Sequence, residues 1–192
     1  MKHRPKTVPI ADGPREAWVW CLMAGISPEV ATEQYGFGWA ENVQRVVVPI
    51  YEDGRDTGAF VARSLNKHRP PKYIASASAA GKNWQSLDGH DTVVIVEDIL
   101  SAISVSRAGF GSIAAMGTAF DQSFLSKLSH CKDVVAWLDP DAGGDKGFRS
   151  LRKASGLWDM QLHRVRSTKD PKYHTSAQIR QYVRGVKGEI YD

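Results

Sequence analysis

Two short apolar runs, each closed by an acidic residue, constrain this chain most. Val93-Val94-Ile95-Val96 ends at Glu97, and Val134-Val135-Ala136-Trp137-Leu138 ends at Asp139, with Asp141 two positions further on. Short apolar runs bounded by turn signals read as buried parallel strands. In open α/β sheets, ligands bind beyond the carboxyl ends of the strands. If the two strands are neighbours, Glu97, Asp139 and Asp141 converge on one sheet edge. An all-oxygen set of that kind suits a hard divalent cation. The pattern points to metal-dependent chemistry on phosphates.

The surrounding sequence supports the parallel sheet. From residue 91 the chain alternates regularly, with strands predicted at 92–97, 112–116, 133–138 and 160–165 and helices at 99–107, 122–129, 146–155 and 175–183. Such spacing implies right-handed crossovers. The first half reads differently. Residues 14–40 are predicted helical, with Pro14 opening the first segment, Ser27 capping a second, and Gly36 and Gly38 ending it. Residues 45–64 read as a hairpin turning at Asp53-Gly54, and Pro49 marks an edge or a strand end. Residues 66–91, rich in Lys, Pro, Ser, Gly and Ala, read as a loop with some ordered pieces and a lobe junction. The expected fold class is α/β: an N-terminal α+β lobe over 1–90 and a parallel sheet flanked by helices over 91–192.

Composition narrows the setting. The chain has 192 residues, 42% hydrophobic and 24% charged, and carries a net charge of +4. These values suit a globular domain and permit nucleic-acid binding. No apolar stretch approaches the roughly 20 residues of a membrane span, and no signal-peptide core follows the basic N-terminus, so a cytoplasmic location is expected. Cys21 and Cys131 cannot build a zinc ribbon and read as small buried hydrophobes. His68, His90, His130, His163 and His174 show no metal-ligand spacing. Trp18, Trp20, Trp39, Trp84, Trp137 and Trp158 read as core or lobe contacts. In Asp139-Pro140-Asp141-Ala142-Gly143-Gly144, two carboxylates sit on a tight turn whose glycines are expected to let the backbone approach a ligand.

Val96-Glu97-Asp98-Ile99-Leu100, followed by Leu138-Asp139-Pro140-Asp141-Ala142-Gly143-Gly144, resembles the Toprim domain shared by bacterial-type primases, topoisomerases and some nucleases. Further segments resemble primases of the bacterial and phage type. These are Ala115-Met116-Gly117-Thr118-Ala119-Phe120, Thr168-Lys169-Asp170-Pro171, Arg45 through Ile50, Gly58 through Arg63, Pro71-Lys72-Tyr73-Ile74, and the entry from Gly25 to Gly38. The resemblance covers about residues 15–185. There are departures. Asp98 stands where the first motif usually has Gly, and Ser101 where it has Asp. Lys172 replaces a second acid common after Lys-Asp-Pro, and Ala75 replaces a frequent Asn.

The resemblance implies a primase catalytic core, with residues 1–90 as its N-terminal lobe and 91–192 as the Toprim domain. Its implied activity is DNA-templated RNA primer synthesis by nucleotidyl transfer in DNA replication, with Mg²⁺ or Mn²⁺. By the same resemblance, Glu97, Asp139 and Asp141 are catalytic: Asp139 and Asp141 hold metal, Glu97 is a metal ligand or an organiser of the attacking hydroxyl, and Asp170 extends the metal site. Arg63, Lys72, Tyr73 and Lys82 would grip nucleotide or template. The implied partners are single-stranded DNA, nucleoside triphosphates and a separate replicative helicase or zinc module. The short length suggests a phage-encoded protein working in the host cytoplasm. Two alternatives stand beside this reading: a metal-dependent Toprim nuclease, and a catalytically weakened helicase- or replisome-binding module.

Overall fold

A computed structural model describes residues 3–117, 120–156 and 160–188. Thr118 and Ala119 of the Gly-Thr-Ala segment, and Trp158, lie outside the described residues. The chain divides into two compact units, Met1–Lys82 and Asn83–Asp192.

The first unit holds β1 (Val8–Pro9), α1 (Arg15–Leu22), α2 (Pro28–Glu33), β2 (Gly38–Ala40), β3 (Arg45–Glu52), β4 (Arg55–Arg63) and β5 (Tyr73–Ala75). Its strands pair antiparallel in chain order. The Ser27 hydroxyl accepts from the Val30 N–H at 3.3 Å and opens α2, as its side-chain chemistry leads one to expect. The chain then leaves the predicted helical stretch early. Gly36 adopts φ +65°, and residues 38–40 form β2, pairing Trp39 with Val46. A Cβ at Gly38 would lie 2.5 Å from the Thr7 side chain, so close strand packing selects glycine there. Pro49 is neither at an edge nor at a strand end. It sits inside β3 opposite Phe60, and the register shifts between Pro49 and Tyr51. That irregularity accommodates a residue with no N–H to give the ladder. Ala40, Val47, Phe60 and Ala62 form a core cluster of this unit.

The second unit holds β6 (Gln85–Ser86), β7 (Thr92–Val96), α3 (Ile99–Arg107), β8 (Gly111–Ala114), α4 (Gln122–Ser126), β9 (Asp133–Ala136), α5 (Ala142–Ser155), β10 (Gln161–Arg164) and α6 (Ser176–Lys187). Its strand order is β6-β8-β7-β9-β10. The last four are mutually parallel, and β6 is antiparallel to β8. Gln85 pairs with Ile113 inside this unit, and residues 66–91 contain two short strands, β5 and β6, within the loop read from the sequence. The apolar runs are central strands: Val93, Ile95, Val134 and Ala136 are fully buried with Leu128 and Leu151.

Caps fix where the helices of this unit start. Asp98, Asp121 and Asp141 each accept a backbone N–H at the start of α3, α4 and α5, and Thr175 and Gln178 form a capping box on α6. Helix α5 therefore starts at Ala142, ahead of the predicted 146. At the opposite end of the sheet, Asp133 pairs with His163 and Lys187, each at 3.0 Å. His163 thus has a structural partner. Both cysteines are free and buried, and burial pushes their thiols up, Cys21 to about 12 and Cys131 to about 11.

Candidate functional site

The parallel sheet brings the acidic ends of its strands together. Strand pairing of β7 with β9 continues one step past β9, where the Trp137 N–H donates to the Ile95 carbonyl at 2.9 Å. Two residues later the Asp139 N–H donates to Glu97 Oε1 at 3.0 Å. Glu97 is thus tied to the turn carrying Asp139. Asp170, from the segment after β10, is near enough to repel the Asp139 carboxylate. Asp141 Oδ1 accepts the Gly144 N–H at 2.8 Å and caps α5. A Cβ at Gly144 would fall 2.0 Å from the Asp139 carbonyl oxygen. Glycine at this position is therefore required by the turn packing onto its own helix, where the sequence suggested approach to a ligand.

Electrostatics set two of these acids apart. Burial raises Glu97 above its ordinary range. The Asp139 N–H opposes that rise, and repulsion from Asp141, Asp170 and Asp98 adds to it. Burial, then Asp170 and Glu97, push Asp139 up to about 7, with Lys172 pulling the other way. Two close carboxylates of this kind repel until a proton or a cation intervenes.

Lys172, marked in the sequence as a departure after Lys-Asp-Pro, enters the same cluster. Lys172 Nζ donates to Asp98 Oδ2 at 2.7 Å and also to Asp170 Oδ2. Burial alone would lower its pKa, but Asp98 and Asp170 outweigh that and raise it. Asp98 additionally accepts the Ser101 N–H at 3.2 Å and the Ser101 hydroxyl at 2.8 Å. Three positions that depart from the Toprim primase pattern, Asp98, Ser101 and Lys172, therefore meet in one network.

Among the described residues, no three acidic, histidine or cysteine side chains form a ready-made metal cage. The geometry explains this: Asp98 and Asp170 are engaged by Lys172, and Asp141 faces the start of α5. The Glu97 and Asp139 pair is a hard oxygen donor set with raised proton affinity, which fits one divalent cation.

The basic residues singled out from the sequence do not gather in one place. Arg63 and Tyr73 are register partners across β4 and β5, and the Arg63 guanidinium donates to the Tyr73 hydroxyl. Its carbon lies 4.9 Å from the Tyr73 ring centroid and 5.4 Å from that of Trp20, and Lys72 Nζ lies 5.4 Å from the Tyr73 ring. Trp20 packs against the buried Phe37, at 6.1 Å between ring centroids, and also joins this stack. Lys82 is elsewhere: its ammonium donates to the Thr57 carbonyl at 2.9 Å. Thr57 lies six residues before Arg63 along β4, roughly 20 Å at the usual strand rise.

No protein-family model matches the chain. Over 89 residues it is 33% identical to a curated relative, the DNA primase DnaG of Staphylothermus marinus. That match covers 46% of this chain and 20% of the relative, so the chain spans about a fifth of the relative's length. Among solved structures, the Aquifex aeolicus primase (zinc-binding and RNA polymerase domains) superposes with a TM-score of 0.72 at 21% identity, covering 90% of this chain and 56% of that one. A DnaG primase catalytic domain bound to single-stranded DNA superposes with a TM-score of 0.67 at 16% identity, covering 94% and 71%. The chain has the α/β fold of the bacterial-type primase catalytic core.

Proposed function

We propose that this chain is a primase-type nucleotidyltransferase core, joining ribonucleoside triphosphates on a single-stranded DNA template with Mg²⁺ or Mn²⁺. The observation that carries the reading is the Glu97 to Asp139 hydrogen bond, which fixes two carboxylates of raised proton affinity at the carboxyl edge of a primase-type sheet. Such an edge is where open α/β sheets bind ligands.

In this reaction a 3′-hydroxyl oxygen bonds to the α-phosphorus as the bond to pyrophosphate breaks. When bound, the divalent cation stabilises charge on the attacking and leaving oxygens. Glu97 and Asp139 would hold that cation, with Asp141 and Asp170 as the neighbouring carboxylates. The Asp139 N–H orients Glu97, and the Gly144 contact keeps the turn seated on α5. Arg63, Lys72 and Tyr73, with Trp20, offer a cationic and aromatic surface suited to an unpaired strand. Lys82, engaged with a backbone carbonyl, contacts nucleotide only if that bond is given up.

Lys172 favours a second reading, a replisome- or helicase-binding module with weakened catalysis, because it neutralises part of the carboxylate edge. The test is primer synthesis on mixed-sequence single-stranded DNA with labelled ribonucleotides and either metal, beside an Asp139→Ala/Asp141→Ala control. Short oligoribonucleotides absent from the control support the primase. Shortened template supports a nuclease. Neither product, with a helicase partner also added, favours the module.

A further inference from the structure

We infer that Lys172 is a resident cation of the carboxylate edge: its ammonium fills the position between Asp98 and Asp170 that a second divalent ion would otherwise bridge. The chain then takes one divalent ion, through Glu97 and Asp139. This rests on the proposed reading of that edge as a metal site.

The geometry is that of a bridged cation. Asp98 comes from the cap of α3 and Asp170 from the segment after β10, yet one ammonium hydrogen-bonds both. Without it, two carboxylates from separate elements would face each other, an arrangement that requires a cation or a proton between them. Burial makes the arrangement durable. The side chains of Lys172, Asp98 and Asp170 are only 17%, 28% and 20% exposed. Expelling the ammonium would bury an unpaired charge, which is costly. Mg²⁺, which gives up its own waters reluctantly, is a poor competitor for such a place.

Asp98 is also committed. It accepts from the Ser101 N–H, the Ser101 hydroxyl and Lys172, three donors on two oxygens. That makes it an anchor for Lys172. Lys172 in turn orients Asp170 beside Asp139, so both Asp98 and Lys172 are positioning residues.

Counting bound Mn²⁺ by electron paramagnetic resonance and calorimetry tests this without reference to catalysis. The wild type should bind one Mn²⁺ per chain, Lys172→Arg should also bind one, and Asp139→Asn should bind none. Lys172→Ala should bind two, and Mn²⁺ should raise its melting temperature by more than it raises that of the wild type. Lys172→Gln, which keeps an uncharged donor on a long side chain, guards against a variant that does not fold, and it should gain the same second ion. Two ions in the wild type overturn the inference and leave the metal reading intact. One ion in the wild type and in both neutral variants overturns it in the same way. No binding by any of these proteins removes the metal reading itself, and the inference with it.

Discussion

Folding raises the proton affinity of Asp139, so between about pH 4 and about pH 7 the folded chain is expected to hold more of its proton than the unfolded chain. Its ordinary value is 3.8, and burial with the neighbouring Asp170 and Glu97 brings it to about 7. A carboxyl raised on folding contributes no penalty below the lower value and its full penalty above the higher one. Stability of the metal-free protein relative to Asp139→Asn should therefore fall as pH rises from about 4 to about 7. Urea unfolding in a chelator at several pH values checks this, and a difference that stays flat across the window contradicts it. The meeting of Glu97 with the Asp139 turn at one sheet edge was legible because strand-end acids sit at positions that the apolar runs mark out. The pairing of Lys172 was not, because its partner Asp98 lies 74 positions away. Trp20 escaped for a related reason: only the pairing of β4 with β5 brings Arg63 and Tyr73 together beside it.

Helix α5 gives Asp141 two roles that a single substitution confounds. As the cap, it satisfies the Gly144 N–H. Losing that bond should cost ~1 kcal/mol. Asp141→Ala should therefore lose both stability and any contribution to metal binding. Asp141→Ser should keep the cap and lose only the carboxylate. Denaturant unfolding beside Mn²⁺ titration separates the two, and equal destabilisation by both variants would rule out the capping role. Elements with strong end signals were readable: α3 spans Ile99–Arg107, the range its sequence predicted. Short strands were not. Gly38–Ala40, Tyr73–Ala75 and Gln85–Ser86 are too brief to show a period of two, and each exists through its pairing with a neighbour.

For the molecule as a whole, the net charge of +4 frames how it would hold a nucleic-acid strand. Affinity for an unstructured oligonucleotide should fall with added salt, the slope changing by about 0.7 for each phosphate contact removed. Lys72 is exposed, and Lys72→Ala should reduce that slope. Tyr73→Ala should weaken binding by ~1–3 kcal/mol with the slope preserved, since stacking releases no counterions. Fluorescence anisotropy across a salt series distinguishes them, and identical behaviour of the two variants would contradict separate roles. The α/β class and the order of elements could be anticipated because both rest on local pattern.

The Asp98–Ser101–Lys172 network also constrains descent. An acid restored at position 172 would meet Asp98 and Asp170 with no ammonium between them, and neutralising Asp98 first would leave Lys172 half paired. Neither change is neutral on its own background, so these positions are expected to have been inherited together. A lineage that replaced one without the other would have had to pass through a less stable ancestor.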